Sequence, residues 1–183
     1  MIKTDLSTFT CANFNRGASA IREALWLIVR ELLFLRFPFG AYPLKRVVLR
    51  WFGAKVGNGV VIKPGAKITF PWKLEVNDYA WIGEESWIIN LDHVSIGANA
   101  CISQRAVLCT GNHDYSKSTF NLLTKSITVE DGAWIASNAW VGPGVTVGSH
   151  AILTAGSVAT KHLEPYSIYQ GNPAKKIRAR IIK

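Results

Sequence analysis

The sequence predicts an all-β chain wound as a parallel β-helix of hexapeptide repeats, on three observations from residues 129–164. Val129, Ile135, Val141, Val147 and Leu153 recur every six positions. Four places after each stands a small residue: Ala133, Ala139, Val145, Ala151 and Ser157. Between them fall turn formers, Asp131-Gly132, Gly142-Pro143-Gly144 and Gly148-Ser149. An α-helix returns its apolar residues every three or four positions, and a flat strand every two. A period of six gives each unit one short strand and one bend, so about three units close a triangular coil. The large and the small apolar residue both point into a narrow tube, and the turn residues face water.

The same rhythm extends upstream. Val56, Ile62 and Ile68 open hexads; after a two-residue slip come Val76, Ile82 and Ile88, and after a second slip Ile96, Ile102 and Leu108. The matching small positions are Val60, Ala66, Ala80, Ser86, Ala100 and Ala106. Each slip fits at a corner as a longer turn. An antiparallel sandwich also has short strands and turns, but its alternation does not hold a six-residue register. We expect three parts: an N-terminal arm with helices (1–54), the coil with its loop (55–164), and a basic tail packing on the coil (165–183).

Before the coil, residues 1–20 read as an irregular arm. Residues 21–37, IREALWLIVRELLFLRF, predict a helix capped by Ser19, with Leu25, Ile28, Leu32 and Leu35 at helical spacing and Trp26, Phe34 and Phe37 widening the apolar face. Arg22, Glu23, Arg30, Glu31 and Arg36 interrupt it, which argues against a membrane span of roughly 20 apolar residues. Such a face packs on the domain or a neighbouring subunit, or lies on a membrane surface. Pro38 and Pro43 bracket a turn, and residues 44–54 read as a second helix ending at Gly53.

Composition narrows the partners. The chain has 183 residues, 49% of them hydrophobic, as in a globular protein rather than a disordered one. The net charge of +9 suits nucleic acid, a membrane surface or a phosphorylated small molecule. No basic run interleaved with aromatics forms a nucleic-acid motif, so no nucleic-acid partner is expected. Cys11, Cys101 and Cys109 are odd in number and lack metal-ligand spacing, so we expect reduced thiols in a cytoplasmic protein. The opening MIKTDLSTFT lacks the basic-then-apolar pattern of a signal peptide.

The repeat has one large interruption. Residues 111–126, GNHDYSKSTFNLLTKS, cannot fit inside a coil and must leave it as a loop, the commonest place for function. His113 opens that loop. A neutral imidazole can take a proton from a hydroxyl and so serve as a general base. Adjacent Asp114 is not shown by adjacency to orient the ring; a backbone carbonyl can do so instead. A lone loop histidine is equally a solvated or capping residue, and the repeat, loop and basic tail together favour chemistry.

At CTGNHDYS (109–116), ITVEDGAWIASNAWVGPGVTVG (127–148), AGSVATK (155–161) and GNPAKKI (171–177) the chain resembles the hexapeptide-repeat acyltransferases. Within them it is similar to the galactoside/maltose O-acetyltransferase branch, closest to the colanic-acid-type O-acetyltransferases. The resemblance covers roughly residues 50–180. It implies a left-handed coil, a homotrimer with sites between neighbouring prisms, acetyl-CoA as donor, and His113 as base. The hydroxyl then attacks the thioester directly, and a backbone N–H holds the oxyanion.

By the same resemblance the donor groove runs along Trp134, Ser137, Ala155, Gly156, Thr160 and Lys161. Pro173, Lys175 and Arg178 sit near the adenine and its phosphate, with Lys176 and Arg180 as further cations. The acceptor side departs from the family pattern: Glu85, Asn90 and Asp92 are candidates from GEES (83–86) and NLDH (90–93), and Asn112 and Asp114 flank the base. The expected acceptor is a sugar or lipid-linked saccharide, with peripheral contact at the inner membrane face through the first helix. An antibiotic or other small alcohol, or a non-catalytic binding coil, are alternatives. A zinc-dependent anhydrase is disfavoured, because His93, His113, His150 and His162 lack close ligand spacing; no metal is expected.

Overall fold

The computed structural model describes residues 3–11, 14–37 and 41–183. Three ladders of very short strands make a triangular coil of about six turns. The first face stacks Lys55–Val56, Leu74–Val76, Val94–Ile96, Ile127–Val129 and Thr146–Val147 in parallel. The second stacks Val61–Ile62, Trp81–Ile82, Cys101–Ile102, Trp134–Ile135, Ile152–Leu153 and Ser167–Gly171. The third stacks Lys67–Ile68, Trp87–Ile89, Val107–Cys109, Trp140–Val141 and Val158–Ala159.

The tube is filled as the six-residue rhythm predicts. Every large opener from Ile62 to Leu153 is at most 1% exposed, and every small partner from Val60 to Ser157 at most 2%. Each coil donates its N–H groups to carbonyls of the next, as from Val61 to Ala80 and from Lys63 to Ile82. The first coil's own carbonyls therefore face away from the stack and need donors from elsewhere.

The N-terminal helices supply those donors. Helix α1 spans Ala20–Val29 and continues as a π-helical stretch over Arg30–Arg36; helix α2 spans Tyr42–Trp51. Ser19 Oγ accepts from the Arg22 N–H, capping α1. From α2, Lys45 Nζ donates to the Ile62 carbonyl at 3.2 Å, Arg46 to Val60 at 2.9 Å and Arg50 to Val56 at 2.6 Å. The Trp26 indole donates to Ile68 at 3.0 Å. Three cations of the basic excess thus close an open edge rather than meet an anion. Lys45 is fully buried, and desolvation lowers its pKa.

This capping corrects the face expected of α1. Trp26 and Phe34 are its buried residues, packed ring to ring at 5.2 Å. Leu25, Ile28 and Leu32 are 53%, 58% and 62% exposed. The aromatics fill the broad open end of the tube, which leaves Leu25, Ile28 and Leu32 outside, while Leu35 is partly buried against the core. Pro43 lies in the first turn of α2 rather than bracketing a turn, because proline's fixed φ suits that position. Pro38 lies outside the described residues.

Both slips, and the long loop, fall at one corner, between the third face and the first. Phe70, Asn90 and Thr110 each stand two places after an opener and stack there, all buried. Thr110 Oγ1 donates to the Ile89 carbonyl and accepts from the Asp92 N–H, both at 2.9 Å.

At the far end, Ser167–Gly171 adds a strand to the second face, and Ala174–Ala179 folds back on it antiparallel. Arg180 fastens the tail, donating to the Gly132 and His150 carbonyls at 3.0 Å each.

Candidate active site

The loop leaves the coil as a hairpin, Gly111–His113 pairing antiparallel with Leu122–Thr124. The Lys125 N–H donates to the Thr110 carbonyl at 3.0 Å and closes its base. His113 ends the outgoing strand, half-buried. Its Nδ1 lies 2.9 Å from the Phe120 carbonyl oxygen. A carbonyl only accepts, so Nδ1 carries a proton, and in the neutral imidazole the lone pair is then on Nε2. The Phe120 ring stacks on the imidazole, centroids 4.4 Å and planes 6° apart. Phe9, from the N-terminal arm, adds a tilted ring at 5.9 Å. Sequence reading missed both aromatics, because neither lies in a motif.

Asp114 does not touch the ring. It accepts from the Ser116 N–H and hydroxyl and pairs with Lys117 at 3.4 Å. These contacts, the Ser116 hydroxyl first, hold its carboxyl below the ordinary aspartate range. Asn112 is exposed beside His113, with its Oδ1 accepting from the His113 N–H at 2.8 Å.

The other acceptor candidates part company. Glu85 is exposed at the corner between the second and third faces, paired with Arg105 at 2.7 Å. Asp92 is half-buried at the loop's corner, its Oδ1 accepting from the His93 N–H. Asn90 is 0% exposed, with its amide spent on the backbone of residues 69 and 70. No acceptor can reach it, so it leaves the substrate set; its Oδ1 and one Nδ2 N–H are already held by backbone partners at that corner.

The donor candidates fall on three separate parts of the coil. Thr160 lines a 270 Å³ cleft on the third face with Asn112, Leu123, Lys125, Trp140 and Pro143. That cleft joins one of the donor candidates to the neighbour of His113, and Lys161 follows Thr160 at its edge. Ser137, Ala155 and Gly156 stack at the opposite edge of the same face, where the Gly156 N–H donates to the Ser137 carbonyl at 2.9 Å. Trp134 stands on the second face, half-exposed in a 430 Å³ cleft with Trp81 and Glu84, and its indole N–H donates to Ser103 at 2.8 Å. Pro173, Lys175 and Arg178 are exposed on the tail hairpin. Lys176 is paired with Glu164 at 2.6 Å and Arg180 is used in docking the tail. One chain therefore carries His113 and the Ser137 corner at opposite edges of a face and does not bring them together. Among the described residues no group of three His, Cys, Asp or Glu side chains is placed to hold a metal.

A coil of six-residue rungs with one histidine-bearing hairpin defines a class of acyltransferases, and the comparisons agree. The chain belongs to the hexapeptide-repeat acetyltransferases. It is 40% identical over 177 residues to the Escherichia coli K12 protein named "Putative colanic acid biosynthesis acetyltransferase WcaF", covering 97% of each chain. Among solved structures, a hexapeptide-repeat acetyltransferase of Vibrio cholerae O1 biovar eltor, complexed with acetyl-CoA, superposes with a TM-score of 0.77 at 22% identity, covering 91% of this chain and 92% of that one. A galactoside acetyltransferase in complex with CoA reaches 0.79 at 20% identity, covering 91% and 85%. The fold is the left-handed β-helix of that family. No family model matches the chain.

Proposed function

We propose that the protein transfers acetyl from acetyl-CoA to a hydroxyl of a sugar, in an exopolysaccharide or O-antigen precursor, with His113 as general base. The observation that carries this reading is the Phe120 carbonyl on Nδ1, which aims a lone pair from Nε2. The acceptor hydroxyl gives its proton to Nε2 as its oxygen bonds to the thioester carbonyl carbon. The tetrahedral intermediate then breaks its C–S bond, and the departing sulfur takes the proton back from the imidazolium. No serine is acylated.

Lys175 and Arg178, exposed on a hairpin fastened by Arg180, suit the donor's phosphates. The colanic acid and galactoside relatives favour a saccharide acceptor. The separation of His113 from the Ser137 corner favours a homotrimer, in which one subunit's hairpin reaches its neighbour's groove. The exposed stripe of α1 and the net charge of +9 favour work at the cytoplasmic face of the inner membrane.

Free-thiol release from acetyl-CoA in the presence of a sugar panel tests the reading. His113→Ala should lose about 10²–10⁴-fold in kcat. Unchanged turnover in that variant would remove His113 as base.

A further inference from the structure

His113 stands on a two-stranded hairpin outside the packed tube, and such a hairpin is only marginally stable by itself. The residue that fixes its tautomer, Phe120, has φ +49, a conformation bulky side chains seldom adopt. Something beyond the hairpin must therefore hold this loop in place. The structure provides the N-terminal arm. The Asp5 N–H donates to the Ser118 carbonyl at 2.9 Å, two residues before Phe120. Asp5 Oδ1 also accepts from the Ser7 N–H at 3.0 Å and caps the short 3-10 turn Leu6–Thr8. The Phe9 N–H donates back to Leu6 at 3.2 Å, so the turn delivers Phe9 in a defined place. There its ring meets the imidazole at 5.9 Å, tilted by 55°. Lys3 and Thr4 line a further cleft with Tyr115, Ser116, Lys117, Ser118 and Thr119. The arm thus touches the hairpin at its tip and at its histidine.

We infer that Phe9 is a positioning residue for His113: with Phe120 it packs the imidazole so that Nδ1 stays on the Phe120 carbonyl and Nε2 stays free to accept. This rests on His113 being the base. With Phe9 removed, the ring can turn about χ2, lose its carbonyl partner, and shift toward the Nε2–H tautomer, which cannot accept a proton at Nε2. A loss of alignment of this kind lowers kcat and leaves donor binding untouched.

The test uses the full-length protein, with Phe9→Ala and the conservative Phe9→Tyr. Long-range ¹H–¹⁵N spectra report the His113 tautomer, assigned by the signal lost in His113→Gln. Wild type should show the Nδ1–H form and Phe9→Ala a mixture. The kcat of Phe9→Ala should fall about tenfold with the acetyl-CoA KM within about twofold, and Phe9→Tyr should restore both spectrum and rate. Phe9 lies on an exposed arm, so the melting temperature should hardly move. A wild-type imidazole spectrum together with wild-type kcat in Phe9→Ala would overturn the inference. The spectrum needs no turnover: if it shifts while wild type releases no thiol with any sugar, the positioning stands and the proposed reaction falls.

Discussion

The carboxamide of Asn90 closes on the backbone of Phe70 from both sides. Its Oδ1 accepts from the Phe70 N–H at 2.9 Å, and its Nδ2 donates to the Phe70 carbonyl at 2.6 Å. A third bond, from the Thr69 N–H, uses the second lone pair of Oδ1. The Phe70 N–H depends on this side chain, whereas the Thr69 N–H is shared with the Ile88 carbonyl at 3.1 Å and the Phe70 carbonyl also accepts from the Lys73 N–H at 3.0 Å, at a corner where the six-residue register slips.

Asn90→Ala should therefore cost stability rather than binding. Leaving the buried Phe70 N–H without a partner costs about 1–3 kcal/mol. Urea unfolding at fixed protein concentration should show the loss, with the acceptor KM unchanged where the variant is folded. A raised acceptor KM with unchanged stability would return Asn90 to the substrate set.

Lys45→Met keeps the buried stem but removes the donor to Ile62, and should cost about 1–3 kcal/mol. The difference should depend on pH. Burial lowers the Lys45 pKa from the ordinary 10.5, so between the lowered value and 10.5 the unfolded chain binds the extra proton. Stability from Lys45 then rises with pH across that window, and wild type should gain on the Met variant as the solution is made alkaline. Chemical denaturation at several alkaline pH values measures the slope; parallel curves would contradict it.

If neighbouring subunits complete each site, two inactive variants should rescue one another. His113→Ala removes the base, and Ala155→Tyr blocks an exposed corner of the donor groove without touching the tube. Co-refolded mixtures should release thiol faster than either variant alone. No recovery, with trimers confirmed by sedimentation, would place a whole site within one chain.

The outer stripe of α1 should bind vesicles containing anionic lipid. Replacing Leu25 and Ile28 together by Glu should abolish co-sedimentation of the full-length protein with little effect on its melting temperature, because both side chains are more than half exposed. Among the described residues no helix is long and apolar enough to cross a membrane. Wild type left in the supernatant would rule the contact out.

The coil was legible because its period is a steric requirement. Val129 through Leu153 must enter the tube, and only small residues such as Ala133 and Ala139 fit four places on. The loop that carries His113 was legible because it interrupts a repeat that tolerates few interruptions. Asn90 misled because a polar residue beside the loop reads alike whether it faces a ligand or staples a corner; only burial separates the two. The face of α1 misled for a related reason. Leu25, Ile28 and Leu32 have better helical spacing than Trp26 and Phe34, but the aromatics fit the open end of the tube and Trp26 brings a donor. Phe9 gave no signal, since its partner lies about a hundred residues away in sequence and they meet only through the fold.

The hairpin springs from the corner that had already been lengthened twice; the Thr110–Lys125 bond closes its base, and Asn112 and Leu123 share a cleft with Trp140 of the coil. Its tip is in effect a detachable cartridge. Segments of other lengths could be grafted between Thr110 and Lys125 while the stacked rungs keep their ladder, so long as the leading strap is rewritten to mate with the new tip.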